Sequence, residues 1–299
     1  MGKLCKEREK NLQGARGRAV TEPLLSIVIA NYNYGRFLGD AIRSVADQDG
    51  FEECELIVVD GGSSDNSVEI IKRYADKIAW WVSERDKGQS NAFNKGFAKA
   101  KGKYLTWLNA DDLMPSGCIR KILNEMKRHP ECQWFTGNCY RFTNDGRVVE
   151  IWWGPHWYPV WLQRKNSPLV IFGPSTFFSR KIYDEFGPID EQLHYVMDND
   201  LWFKFMAKGV VQRRINCFCF AFRMHEGSKT AEFGKHKLEE EVHQRLSAEA
   251  RLIRQRIGYR QSVILKLAVW AMRILDGSFF RRAWYRLVFT RVRKGDTSK

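Results

Sequence analysis

Apolar residues come along this chain in short runs, and the runs alternate with segments of helical periodicity. LLSIVIANYN, at 24–33, opens on a β-rich run and breaks at Asn31-Tyr32-Asn33. Phe37, Leu38, Ala41, Ile42 and Val45 then recur at helical spacing and predict a helix. ELIVVDGGSSDNS, at 55–67, predicts a buried strand entering a Gly/Ser/Asp turn. Ser64 or Asp65 is the expected cap of the next helix, which holds Val68, Ile70, Ile71 and Tyr74. A third strand is expected at 78–82 (IAWWV) and a helix at 89–100. YLTWLN, beginning at Tyr104, is a fourth strand, and it ends at the adjacent carboxylates Asp111 and Asp112.

Strand and helix in this rhythm predict a parallel sheet covered by helices. Ligands bind such sheets at the carboxyl ends of the strands. Three polar clusters fall at those ends, 31–33, 60–65 and 109–112, and predict one shared crevice. Beyond 130 the pattern is less regular, with strands expected near 133–151 and a tryptophan-dense stretch at 151–163. A helix is expected from Asp198 or Asn199, with Leu201, Trp202, Phe205 and Met206 on one face. A charged helix follows His225, and from 251 arginines mix with large apolar residues.

Charge changes the picture mainly at the termini. The net charge is +14, of which residues 1–20 carry +4 and 251–299 carry +11, so the body between is near neutral. Basic ends of this kind suit an anionic membrane surface or a nucleic acid, and do not describe the central crevice. Hydrophobic residues make up 44% of the chain, which excludes wholesale disorder. The seven cysteines include no CxxC pair. Cys217 and Cys219 would face one side of a strand, and free buried thiols in a reducing compartment are the expected reading. The first 18 residues are charged, and no apolar run reaches the length of a spanning helix, so a cytoplasmic protein is expected. The segment 263–275 is apolar apart from Lys266 and Arg273. It fits amphipathic helices on an anionic membrane, a helical subdomain packed on the body, or a dimer contact.

Two adjacent carboxylates at the end of a buried strand pose a chemical question. Each is costly to desolvate alone. Asp111 and Asp112 therefore mark either a solvated turn or a cation site.

Four segments, in order, resemble the inverting family 2 glycosyltransferases of GT-A fold: SIVIANYNYGRFLGDAIRSV, ELIVVDGGSSDNS, SERDKGQSNAFNKGFAKAKGKYLTWLNADD and GPSTFF…DEFGPIDEQLHYVMDNDLW. They span about 26–203, two-thirds of the chain. The resemblance implies a nucleotide-binding α/β sandwich with a mixed, mainly parallel central sheet and a C-terminal helical extension. The expected organisation is a disordered basic lead-in at 1–20 and a catalytic domain at 21–230, with a nucleotide half 21–115 and an acceptor half 116–230. A basic amphipathic extension at 231–299 completes it.

The same resemblance implies a nucleotide-sugar donor, a UDP-sugar first among them, and a saccharide or lipid-linked acceptor in cell-surface glycan synthesis. No nucleic acid partner is expected, and the C-terminal segment would lie on the cytoplasmic face of a membrane. Ala30, Asn31, Tyr32, Asp60, Arg85, Lys87 and Asp111 would bind the donor. Asp111, Asp112 and His225 would hold Mg²⁺ or Mn²⁺, with His225 alternatively touching phosphate. Asp198 is the implied general base. Ser175, Thr176, Trp153 and Asp200 are assigned to the acceptor, Asp200 alternatively as a supporting group. Position 109, often Asp in such enzymes, is Asn109 here. That departure leaves open a catalytically inactive nucleotide-sugar-binding protein.

Overall fold

The computed structural model describes residues 12–14, 22–152 and 173–228. In chain order the elements are β1 (Leu12–Gly14), β2 (Leu25–Asn31), α1 (Gly35–Ala46), β3 (Cys54–Asp60), α2 (Ser67–Arg73), β4 (Trp80–Ser83) and α3 (Gln89–Lys99). There follow β5 (Tyr104–Asn109), α4 (Cys118–Arg128), β6 (Trp134–Thr143), β7 (Val148–Trp152), β8 (Thr176–Ser179), α5 (Arg180–Phe186), α6 (Met197–Ala207) and β9 (Arg213–Met224).

The described strands form one nine-stranded sheet in the order β1-β4-β3-β2-β5-β8-β6-β7, with β9 paired to β6. Its core, β4-β3-β2-β5, is parallel. β8 joins antiparallel to both β5 and β6, while β9 runs parallel to β6. The expected mixed sheet with a parallel core is therefore present.

Burial on both faces explains why the core strands read as unbroken apolar runs. On β2, Ile27 and Ile29 pack with Leu38, Ile42 and Val45 of α1 on one face. Val28 packs with Phe93 and Phe97 of α3 on the other. Contact there is close: a Cβ at Gly96 would sit 2.3 Å from Val28 Cγ1, so only glycine lets α3 lie this low on the sheet. Trp202 of α6 is sandwiched between Trp107 of β5 and Trp134 of β6, each stacked at 5.5 Å between centroids. This stack anchors the start of α6 against the sheet.

Several expectations change. Residues 12–14, inside the segment expected to be disordered, pair antiparallel with β4, whose outer edge would otherwise be unpaired. Asn66 is the boundary residue before α2 and its side chain makes no cap bond, while the carboxylate of Asp65, one of the two expected caps, accepts from the first helical N–H, Ser67 N, at 3.0 Å. Asp65 also ties in α1, accepting from Gly35 N at 2.8 Å. β9 replaces an expected irregular stretch. The extension 231–299 and Trp153, Trp157 and Trp161 lie outside the described residues. Among the described residues, no helix is long and apolar enough to cross a membrane.

Candidate functional site

The parallel register sets the polar strand ends side by side. Asn31 of β2 lies opposite Asp60 of β3, Asp60 opposite Ser83 of β4, and Ala30 opposite Asn109 of β5. Above this row opens a cavity of about 1110 Å³. Ala30, Asn31, Tyr32, Arg85, Asp111 and Asp198 all line it, so the crevice draws together residues 168 positions apart.

The carboxylates expected at these ends divide into two kinds. Asp60 is fully buried and is not part of the cavity lining. Its Oδ1 accepts from Asn31 Nδ2 at 2.6 Å, and its Oδ2 from Ser83 Oγ at 2.6 Å and Ser63 N at 3.0 Å. With its acceptor capacity engaged, Asp60 shapes the cavity floor rather than presenting oxygens to a ligand. Asn31 Oδ1, in contrast, finds no donor among the described residues. Tyr32 stands 61% exposed on the same wall, a free aromatic face.

The acidic pair after β5 divides in the same way. Asp112 is 1% exposed. Its Oδ1 accepts from Arg223 N at 2.9 Å and its Oδ2 from Asn109 Nδ2 at 2.8 Å. Burial and the neighbouring Asp111 charge push its carboxyl well above the usual carboxylate range, against the pull of those two donors. Asp112 thus lies off the cavity wall, with a donor from the fold on each carboxylate oxygen. Asp111 lines the cavity, and its Oδ2 lies 3.0 Å from His225 Nε2. Arg36 Nη2 faces the other ring nitrogen of His225 at 3.4 Å. The rings of Tyr34 and Phe37 enclose the imidazole at 5.6 and 4.8 Å.

What holds these groups in place is β9, the element that sequence reasoning missed. Leu113 N donates to Ala221 O at 3.0 Å, and Ala221 N to Leu113 O at 2.8 Å. This bridge lays the end of β9 along the turn that carries the acidic pair. Arg223, 7% exposed, then donates through Nε to the Asp111 carbonyl at 2.9 Å. Its guanidinium lies 4.8 Å from the ring centroids of both Phe37 and Phe142, and 3.5 Å from Asp40 Oδ2. Held in this way, the guanidinium ties the backbone of the acidic turn to α1 and β6.

Asn109 links the two sides of the turn. Gln89 Nε2 donates to its Oδ1 at 2.5 Å while its own amide serves Asp112. An aspartate at 109 would instead set a third carboxylate against Asp112. The departure from the family pattern thus has a local reason.

Asp198 stands in the first turn of α6, half-buried on the cavity wall, with Oδ1 accepting from Asn199 N at 2.7 Å. Gly173 makes room for it: a Cβ there would lie 3.2 Å from Asp198 Oδ2 and 2.9 Å from the Trp107 indole. Asp200 points away from the cavity. It is 1% exposed and paired with Lys204 Nζ at 2.9 Å, one helical turn on.

The remaining expectations separate further. Ser175 and Thr176 are fully buried in the sheet, and Thr106 Oγ1 donates to Thr176 O at 2.8 Å. Their hydroxyls do not reach the cavity wall, which Gly173 and Pro174 form instead. Lys87 is exposed outside the lining, its backbone N donating to Asn91 Oδ1 at 3.3 Å. Asp86 does line the cavity, and burial and the nearby Asp60 and Glu84 raise its carboxyl pKa, opposed by Gly88 N and Lys95. The SERDKG loop carries that signal in sequence only as a run of charges.

A cation at this site would meet two protein ligands, Asp111 Oδ2 and His225 Nε2. The set suits a hard divalent ion that draws its remaining oxygens from phosphate and water. The hydrogen bond between the two groups occupies the place that such an ion would take.

The family model described as glycosyl transferase family 2 matches residues 26–187. An uncharacterized glycosyltransferase of Rickettsia typhi is 30% identical over 208 residues, covering 62% of this chain and 59% of that protein. The minor teichoic acid biosynthesis protein GgaB of Bacillus subtilis is 35% identical over 108 residues, covering 35% of this chain and 12% of that protein. Among solved structures, S. aureus TarS 1-349 in complex with UDP-GlcNAc superposes with a TM-score of 0.56 at 16% identity, covering 70% of this chain and 61% of that one. The mannosyltransferase PcManGT of Pyrobaculum calidifontis, in complex with GDP-Man and Mn²⁺, gives 0.56 at 14% identity, covering 96% and 87%. At these identities the structural likeness concerns the fold, a GT-A-type α/β sandwich. The chain matches about three-fifths of the length of the Rickettsia typhi protein.

Proposed function

The chain belongs to glycosyl transferase family 2, and we propose that it transfers a sugar, with inversion, from a nucleotide-sugar donor to a hydroxyl of a saccharide or lipid-linked acceptor. The observation that carries this reading is the sharing of one cavity by Asp111, paired with His225, and Asp198.

In this reading the nucleoside lies along the ends of β2 and β3. Tyr32 stacks on the base, and Asn31 Oδ1 accepts from a base or ribose donor. Arg85 faces the diphosphate, for which a guanidinium fork is suited. Asp111 and His225 would hold Mg²⁺ or Mn²⁺, which when bound would supply Lewis-acid neutralisation of the departing diphosphate. Asp198 accepts the proton of the acceptor hydroxyl as that oxygen bonds to the anomeric carbon. The bond from the anomeric carbon to the phosphate oxygen breaks, and its electron pair leaves with the nucleoside diphosphate. Arg223, Asn109 and Asp112 position Asp111, and Asp60 positions Asn31.

The neighbours with UDP-GlcNAc and with GDP-Man and Mn²⁺ support a nucleotide-sugar donor and a divalent cation. A UDP-sugar is the first candidate. The name of the Bacillus subtilis relative favours a cell-surface glycan as acceptor. The basic C-terminal segment would hold the enzyme at the cytoplasmic face of the membrane where such acceptors are anchored.

The test is a panel of nucleotide sugars, with and without Mg²⁺ or Mn²⁺, read by release of nucleoside diphosphate. One donor turned over with cation dependence is the expected result. Titratable binding of UDP and Mn²⁺ with no turnover of any donor, alone or with glycan acceptors, would instead assign a binding protein.

A further inference from the structure

The Sγ atoms of Cys118, Cys217 and Cys219 lie within 4.8 Å of one another, all three residues buried. They come from two elements far apart in sequence, the first residue of α4 and two alternate positions of β9. Among the described residues this is the one place where three metal-ligating side chains converge, and it lies outside the donor cavity. Room for the cluster is built in. A Cβ at Gly137 of β6 would sit 2.4 Å from Cys219 Sγ, so the sulfur occupies space that only glycine leaves.

From this geometry we propose that the three cysteines form a trigonal site for a thiophilic d¹⁰ cation, Cu⁺ or a divalent ion of the zinc group. Sulfurs about 2.3 Å from a central metal stand about 4 Å apart in a plane, inside the observed spacing. Soft thiolates select such ions, whereas Mg²⁺ and Mn²⁺ prefer oxygen, so this site and Asp111–His225 discriminate by chemistry.

Cys118 sits at the N-terminus of an eleven-residue helix, where the helix dipole favours the charge that metal binding leaves on sulfur. Uptake of a cation displaces the thiol protons of the cluster to solvent and leaves three thiolates around the metal, with no change of oxidation state.

The site would clip the start of α4 to β9. The same two segments, a few residues away, carry Asp112 and Arg223, so the clip holds the far end of the bridge that builds the acidic turn. This inference does not depend on the glycosyl-transfer reading.

The test uses the full chain, prepared reduced and stripped of metal, and titrated separately with Cd²⁺ and with Cu⁺. The expected result is one equivalent bound with a thiolate-to-metal charge-transfer band, protons released on binding, and a raised unfolding temperature. Retention of copper against bathocuproine disulfonate assigns the monovalent ion. Loss of copper with cadmium retained assigns the divalent one. A C118S/C219S chain should lose the band while keeping the far-ultraviolet circular dichroism and cooperative unfolding of the parent, which shows that it remains folded. Should that variant not fold, a ¹¹³Cd resonance of the unaltered chain at the sulfur-rich end of the range supports the site. No stoichiometric uptake, a band undiminished in the folded C118S/C219S chain, or a cadmium resonance of oxygen and nitrogen type alone would overturn the proposal.

Discussion

His225 Nε2 lies 3.0 Å from Asp111 Oδ2, a hydrogen bond between groups 114 residues apart at the edge of the donor cavity. The contact joins the segment after β9 to the turn after β5, and it sets two ligand atoms where a cation would meet a diphosphate.

Substitution at either end of that contact should therefore act on cation dependence. D111N is expected to lower donor turnover about 100-fold or more, in line with the loss of one preorganised charge-stabilising group. H225A should raise the Mn²⁺ concentration needed for half-maximal activity. Turnover curves against Mn²⁺ check both, and curves matching the parent chain for both variants would sink the assignment.

Asp198 is the wall residue offered as base. D198N should reduce transfer about 10²–10⁴-fold while leaving UDP affinity within a factor of two or so, because only proton removal is lost. Single-turnover kinetics beside calorimetric titration separates the two quantities. A fully active D198N chain rules this residue out.

Asp112 gives a pH dependence whose sign is fixed by its environment. Its folded-state carboxyl titrates well above the usual range because of burial and Asp111. The folded chain thus holds a proton that the unfolded chain releases near the ordinary value of about 3.9. The stability linked to this group is fully present below that value and is lost as pH rises through the folded-state one. Without divalent cation, the unfolding midpoint of the parent chain should fall from pH 5 towards pH 8 more steeply than that of D112N. Parallel slopes would refute the linkage.

Arg223 ties the acidic turn to β9. R223M keeps the backbone donor to Asp112 but removes the Nε donor to the Asp111 carbonyl and the partner of Asp40, and should cost about 1–3 kcal/mol by leaving a buried acceptor unsatisfied. Urea unfolding at neutral pH measures this. A loss under about 0.5 kcal/mol, the scale of an exposed pair, would mean that the guanidinium does not hold the turn.

The parallel core was legible because its signal is local. Runs such as LIVV and YLTWL need no distant partner to be recognised as strands buried on both faces. The place of Asp111 and Asp198 on the cavity wall was legible for the same reason, since they stand at a strand end and a helix start. The direction in which a carboxylate faces was not. Asp60 and Asp112 end in networks whose donors come from other elements: Ser83 for one, Arg223 for the other. β9 did leave a trace, since Ile215, Cys217, Cys219, Ala221 and Arg223 alternate and are all buried. The alternation ends in an arginine, which reads as a boundary until its partners 111 and 112 residues upstream are known.

The pairing of β9 with β6 is not continuous. Between Asn138 and Cys139 the register slips, and β9 passes from Phe218 to Phe220 while β6 advances one residue. A slip of this kind exchanges which of two consecutive side chains faces a given side. The identity of the residue delivered to Asp112 is thus counted out by backbone length. A single-residue deletion at the slip would offer that carboxylate a neighbour of Arg223 without altering any side chain around the cavity. Chain length between Phe218 and Arg223 is in this sense part of the site, and relatives that conserve every polar residue but differ by one position here would not share its geometry.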